Sequence, residues 1–206
     1  FNNNQQLAQT TGASLSFPFN VGAVGSGAVR ITATAGNETR ERQFRYLVKT
    51  PTVTAAAPAN IRDGINYTGT TTATLQLFAP LKQTVYLVGD FNDWTPSADY
   101  QMRRTPDGNR FWLNVSNLTA GQEYGFQYLI DGNIRVGDPY CDKTLDPLDR
   151  FIPAFNYPNP KPYPTGKTTG TVSVLQTNQQ PYAWRVPNFQ RPAKEKLNVY
   201  ELLVRD

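Results

Sequence analysis

Apolar and polar residues alternate with a two-residue period through much of the stretch from residue 27 to residue 136, and that period predicts β-strands. Over residues 27–34, Val29, Ile31 and Ala33 share one face while Arg30, Thr32 and Thr34 take the other. Gly36-Asn37 is a turn signal, after which Phe44, Tyr46 and Val48 alternate with Arg45 and Leu47. This is a hairpin in the style of an immunoglobulin-like sandwich, with too few strands to bury a core alone. Residues 1–52 are therefore expected to be strands of an N-terminal immunoglobulin-like domain, either incomplete or borrowing a partner. Residues 50–62 are rich in Ala, Pro and Thr, and 53–63 reads as a linker.

Evenly spaced strands come next. Ala73, Leu75, Leu77 and Ala79 line one face until Pro80 ends the run. Val85 and Leu87 do the same, then Phe111, Leu113 and Val115, then Tyr124, Phe126, Tyr128 and Ile130. Asp131-Gly132 is a strong hairpin turn before Ile134 and Val136. Short strands at this spacing, with turn chemistry between them, predict a β-sandwich, and no segment carries a helical period. The fold class is all-β: an immunoglobulin-like sandwich with extra N-terminal strands and an irregular C-terminal junction. After Asp138 the chain turns Pro-rich through Pro164, and two short strands are expected over 170–175 and 197–205. The second is apolar nearly throughout, with Leu197, Val199, Tyr200, Leu202, Leu203 and Val204. A strand apolar on both faces belongs in a buried parallel sheet, so this one is expected to be the stub of a second domain.

Composition narrows the chemistry. With 15 Gly and 16 Pro in 206 residues, turns are many and long helices few. The net charge is +4 and the pI about 9.2, but apart from Arg40, Arg42, Arg45 and the pair Arg103-Arg104 the basic residues are scattered. A phosphate tracker needs a concentrated basic stripe, so no nucleic-acid partner is expected. With no His and one Cys, neither a Ser-His-Asp or Cys-His arrangement nor a His/Cys zinc site can be built. Cys141 has no disulfide partner in the chain and reads as a small, half-buried apolar residue. No stretch is apolar and long enough to span a membrane. Asp138, Asp142, Asp146 and Asp149 form the densest acidic run, yet Asp138 and Asp146 each precede Pro, which is turn chemistry, and the spacing fits no calcium loop. No catalytic carboxylate, metal or cofactor is expected. The sequons at Asn37, Asn66, Asn114 and Asn117 read as incidental in a Thr-rich chain.

Two motifs carry a family resemblance. Residues 85–94, Val-Tyr-Leu-Val-Gly-Asp-Phe-Asn-Asp-Trp, together with Tyr-Gly-Phe-Gln-Tyr-Leu-Ile-Asp-Gly at 124–132 and Asp138-Pro139, resemble the family 48 carbohydrate-binding module. That module precedes the barrel in branching enzymes, isoamylases and pullulanases, and is also the glycogen-binding domain of the AMP-activated kinase β subunit. Tyr182-Ala-Trp184, Arg191-Pro192 and residues 197–206 resemble the junction and first barrel strand of family 13 glycoside hydrolases. Together the resemblance spans residues 66–206. It implies a module-like, early-set immunoglobulin-type sandwich over 64–165 and, over 166–206, a junction plus the first strand of a (β/α)8 barrel.

The same resemblance implies a function. The partners would be an α-glucan (starch, glycogen or a maltooligosaccharide) and the catalytic barrel of the same polypeptide, whose nucleophile and acid lie on later strands. The C–H face of a glucose ring packs on an indole while its hydroxyls seek polar partners. Trp94 is kept from the family motif as the platform, with Asn92 and Gln127 as polar contacts. A second Trp of the family falls at Ile134, and its Lys falls at Gln127. The local alternatives stand beside this: Trp94 as a packing residue at a turn, and Asp90, Asn92 and Asp93 as turn-forming groups. Trp112 lies opposite Phe111 and Leu113, and with Trp184 and Tyr200 it is expected to dock the barrel. The expected function is a non-catalytic accessory region of an α-glucan-active glycoside hydrolase; the alternatives are a genuine starch- or glycogen-binding module and a protein-interaction or adhesion scaffold. A secreted or periplasmic bacterial location is expected.

Overall fold

The computed structural model describes residues 5–21, 25–186 and 188–201. Among them are eleven strands and only single-turn 3-10 helices, so the all-β expectation holds. β1 (Gly25–Ala35) and β2 (Glu38–Val48) form a two-stranded antiparallel sheet of their own, joined through Gly36-Asn37. β3 (Gly64–Tyr67), β4 (Ala73–Phe78), β6 (Arg103–Arg104) and β7 (Arg110–Val115) form a four-stranded sheet in the order β3-β4-β7-β6. The third sheet holds β5 (Val85–Gly89), β8 (Glu123–Ile130), β9 (Ile134–Val136), β10 (Thr144–Leu145) and β11 (Val172–Gln176). Its order is β10-β11-β8-β5, with β9 pairing β8.

The alternation seen in the sequence decides which side chains meet. Ala73, Leu75, Leu77, Phe111 and Val115 from the four-stranded sheet face Val85, Leu87, Tyr124, Phe126, Tyr128, Ile130 and Leu175 from the five-stranded one. Met102 and Leu118 enter this core from connecting segments. Each large side chain buried here contributes about 1.5–3 kcal/mol relative to exposure. The Asp-Gly turn forms as its chemistry requires, with Asp131 at φ 50° and Gly132 at φ 83°. The Asp131 carboxylate accepts from the N–H groups of Gln83 and Thr84, both at 2.9 Å. Burial pushes its pKa up, but these two donors and nearby lysines hold it below the ordinary carboxylate value.

The five-stranded sheet is covered on both sides. Tyr86, Val88, Leu129, Val172 and Val174 point away from the main core, yet they are buried in a second apolar layer with Trp94 and Leu145. Leu47 of β2 and Tyr163 pack against that layer.

Three boundaries differ from those expected. Residues 53–55, placed in the linker, run along β6: Thr54 bridges Arg104 in parallel, Ala55 N donates to Arg104 O and Arg104 N to Val53 O, each at 2.9 Å. β11, placed in the junction, lies between β10 and β8 with Leu175 in the core, so the sandwich runs to Gln176 rather than closing at residue 165. Residues 197–201 adopt no strand, and the rest of the expected terminal strand, with Leu202, Leu203 and Val204, lies outside the described residues.

Asp138 is held where the two sheets meet, 4% exposed. Its Oδ2 accepts from the Tyr128 hydroxyl at 2.7 Å, its Oδ1 from Tyr140 N at 2.8 Å, and its own N–H donates to Ser173 Oγ at 2.6 Å. Burial raises its pKa, and the hydrogen bonds from Tyr128 and Tyr140 oppose that rise without cancelling it. The folded value thus lies above the unfolded one. The associated stability is complete below the ordinary value of 3.8 and is lost as pH climbs through the folded value. Asp138→Asn cannot titrate. Urea titrations at a series of pH values should show its stability gaining on that of the wild type as pH rises from about 4 towards 7. A difference that does not change with pH would refute the assignment.

Candidate functional site

β5 ends at Gly89, and residues 90–92 make one 3-10 turn. Asp93 and Trp94 then take left-handed backbone conformations in succession, at φ 49° and 60°. Asn92 ties the turn to the strand: its Oδ1 accepts from Gly89 N and its Nδ2 donates to Leu87 O, each at 2.9 Å. Trp94 N donates back to Gly89 O at 2.9 Å. The loop lays the Trp94 indole on the outer face of the five-stranded sheet, where Asp90 collects three partners. Trp94 Nε1 donates to Asp90 Oδ1 at 3.1 Å, Gly125 N donates to Oδ2 at 2.8 Å, and Lys161 Nζ stands 2.9 Å from Oδ2.

Trp94 is 3% exposed, so the indole is not an open platform as the resemblance implies. Its rings complete the second apolar layer. Gln127, on β8 of the same sheet face, is 1% exposed and fully engaged. Its Nε2 donates to Thr169 O at 2.9 Å and Thr171 O at 2.8 Å, and its Oε1 accepts from Thr168 Oγ1 at 2.5 Å. Asn92 spends both ends of its amide on the backbone. The structure therefore brings Trp94 and Gln127 to one face, as the family pattern has them, but gives none of the three a side chain turned to solvent for a sugar. Ile134, in the position of the family's second Trp, is 41% exposed on β9, but it pairs with Ile130, whose side chain lies in the main core, and so belongs to the other face.

The cover over this face is the segment preceding β11. Lys161 reaches Asp90, Lys167 Nζ meets Asp93 Oδ1 at 2.5 Å, and the Tyr163 ring packs on the apolar layer while its hydroxyl donates to Gly170 O at 2.8 Å. In the sequence this stretch reads only as irregular and Pro-rich. The usable signal is Tyr163 flanked by prolines and lysines opposite an acidic turn.

The docking candidates divide. Trp112 is 5% exposed: residues 53–55 cover it, its Nε1 donates to Ala55 O at 3.0 Å, and the Arg103 guanidinium lies 5.2 Å from its ring centre. No surface of it is left for a barrel, which corrects that expectation. Trp184 and Tyr200 are 75% and 85% exposed. Trp184 meets Tyr182 edge-on at 4.8 Å, and with Arg185, Val186 and Phe189 they line an open hollow of about 590 Å³. In the acidic run, Asp146 N donates to Asp149 Oδ2 at 2.8 Å and Leu148 N to Asp146 Oδ1 at 2.9 Å, which is the turn chemistry read from the sequence. Among the described residues no group of three or more His, Cys, Asp or Glu side chains is placed to hold a metal ion, and no helix is long and apolar enough to cross a membrane.

Residues 64–141 match the family model for carbohydrate-binding module 48, the isoamylase N-terminal domain. The match runs from the first residue of β3 to Cys141, just past β9, and takes in the Trp94 loop and Gln127. Residues 64–141 are thus similar to a module of a kind found in family 13 glycoside hydrolases. No curated protein matches the chain.

Proposed function

We propose that this chain is a non-catalytic accessory region of an α-glucan-active glycoside hydrolase, and that its main work is to seat the catalytic barrel rather than to capture substrate. One observation carries this reading: the aromatic groups are placed inside out relative to a sugar-capturing surface. Stacking a pyranose needs an open indole face, and Trp94 and Gln127 are 3% and 1% exposed. In contrast, Tyr182, Trp184, Val186, Phe189, Val199 and Tyr200 are between 65% and 89% exposed along one terminal segment. A concentration of exposed apolar groups on that scale marks an interaction surface. The module match supports a carbohydrate-active context, and the α-glucan class rests on the module's resemblance rather than on any group at the surface.

The test uses the polypeptide carrying both this region and a catalytic barrel. Trp184→Ala combined with Tyr200→Ala should lower the barrel's thermal midpoint by about 5 °C or more. The same pair should leave the isolated region's own midpoint unchanged, because neither ring is packed in the sandwich. An unchanged barrel midpoint would overturn the docking role.

A further inference from the structure

We propose that residues 161–170 are a strap that occupies the sugar face of the sandwich and must swing aside before that face can take an α-glucan chain; the ligand class rests on the proposed function, but the device does not require the docking role.

The strap supplies the chemistry that a sugar would. Gln127 has one side-chain amide, and the strap satisfies it with the Thr168 hydroxyl and the Thr169 carbonyl. These are oxygen donors and acceptors of the kind that ring hydroxyls present. Tyr163 lays a ring on the apolar layer that contains Trp94, where the C–H face of a pyranose would otherwise lie. The strap is also closed on itself, since the Tyr163 hydroxyl donates to Gly170 O.

Two ion pairs fasten it, and both land on the turn that carries Trp94. Lys161 Nζ is 2.9 Å from Asp90 Oδ2, with the two side chains 22% and 29% exposed. Lys167 Nζ is 2.5 Å from Asp93 Oδ1, with the two side chains 53% and 81% exposed. The Lys167–Asp93 pair is open to water, so it is weak and screened by salt, while the partly buried Lys161–Asp90 pair is screened less. The strap can leave without unzipping the sheet. β11 begins at Val172, after it, and Gln127 keeps its bond to Thr171 O when the bonds to Thr168 and Thr169 break. Gly170, at φ 75° with nothing within 4 Å of a would-be side chain, is the pivot.

A closed strap lowers apparent affinity by the fraction of molecules in the open form. Maltoheptaose is uncharged, so its own contacts respond little to ionic strength, whereas the exposed Lys167–Asp93 fastening does respond. The proposal therefore predicts an inverse salt effect. In calorimetric titrations of the chain with maltoheptaose, raising NaCl from about 0.05 M to about 1 M should tighten binding several-fold. Lys161→Gln with Lys167→Gln should bind tens of times more tightly than wild type at low salt and lose the salt response. Adding Gln127→Ala to that pair should remove the gain. Hydrogen exchange gives a second readout that needs no ligand: amides of 161–170 should exchange faster in high salt or in the double variant while those of β8 do not. The proposal is overturned by equal affinity and equal salt response in wild type and double variant, by a gain that survives Gln127→Ala, or by no binding in any variant up to millimolar sugar. None of those results bears on the barrel's thermal midpoint, so the docking role stands or falls separately.

Discussion

Trp94→Ala will cost the sandwich about 3–5 kcal/mol of stability, the range for truncating a fully packed aromatic to Ala. The indole is 3% exposed in a layer with Tyr86, Val88, Leu129, Leu145, Val172 and Val174. Its removal leaves a cavity there and takes from Asp90 the donor at 3.1 Å. Asp90 would keep Gly125 N and Lys161, so the larger part of the loss is packing rather than an orphaned charge. An indole standing out as a sugar platform would be removed at almost no cost to folding, since exposed positions usually tolerate substitution within about 0.5 kcal/mol. Urea unfolding tracked by far-UV circular dichroism separates the two cases. A midpoint unchanged from wild type would show that the ring does not belong to the second layer. Trp94→Phe should recover part of the loss, because it keeps one ring in place and forfeits the rest of the indole and its bond to Asp90. Lost sugar binding in Trp94→Ala therefore has no meaning unless folding is measured beside it.

The same residue shows how far the sequence could be read. Two-residue alternation placed Leu75, Leu77, Phe111, Phe126 and Tyr128 on inner faces, and these are the main core. It also marked the Asp131-Gly132 turn, whose chemistry is local to two residues. What alternation cannot say is whether the opposite face of a strand meets water or another layer. Tyr86 and Val88 gave a hint, since β5 is apolar at both phases, but its cover comes from Leu47 and Tyr163, far away along the chain in either direction. Trp112 failed for the same reason. Its cover is Ala55, 57 residues upstream, in a segment whose composition reads as a linker. The Asp-Phe-Asn-Asp-Trp motif was legible as a motif. Its role was not, because the strap that reaches Asp90 and Asp93 lies about 70 residues downstream and has no periodicity to announce it. β3, β6 and β10 are two to four residues long, too short for a period to stand out, and they form because long neighbours offer them an edge.

Gly89→Ala will destabilise the protein by about 3 kcal/mol, at the upper end of what one added methyl usually costs in a packed interior. The backbone itself is not the reason: Gly89 sits at φ −179°, an extended conformation open to any residue. The reason is space. A methyl here would overlap the carbonyl oxygen of Gly125 and stand 3.0 Å from both Phe126 Cβ and Phe91 Cζ. Phe91 can turn, but a backbone oxygen can retreat only if β8 retreats. β8 carries Tyr124, Phe126, Tyr128 and Ile130 into the core and is paired to β5 from Val85↔Ile130 to Gly89↔Phe126. The displacement would also reach the loop, since Gly89 N donates to Asn92 Oδ1 and Gly89 O accepts from Trp94 N. Chemical denaturation should give the lowered midpoint, and tryptophan emission of the still-folded variant should shift to longer wavelength as Trp94 loses its dry surroundings. A stable variant with native emission would mean that β5 and β8 are not packed at this distance. The outcome assigns the first residue of the Gly-Asp-Phe-Asn-Asp-Trp motif to close strand packing. In that arrangement Gly89 admits β8, Asn92 ties the turn, and Asp90 holds the indole, so most of the motif builds the face and leaves its occupancy to the strap that covers it.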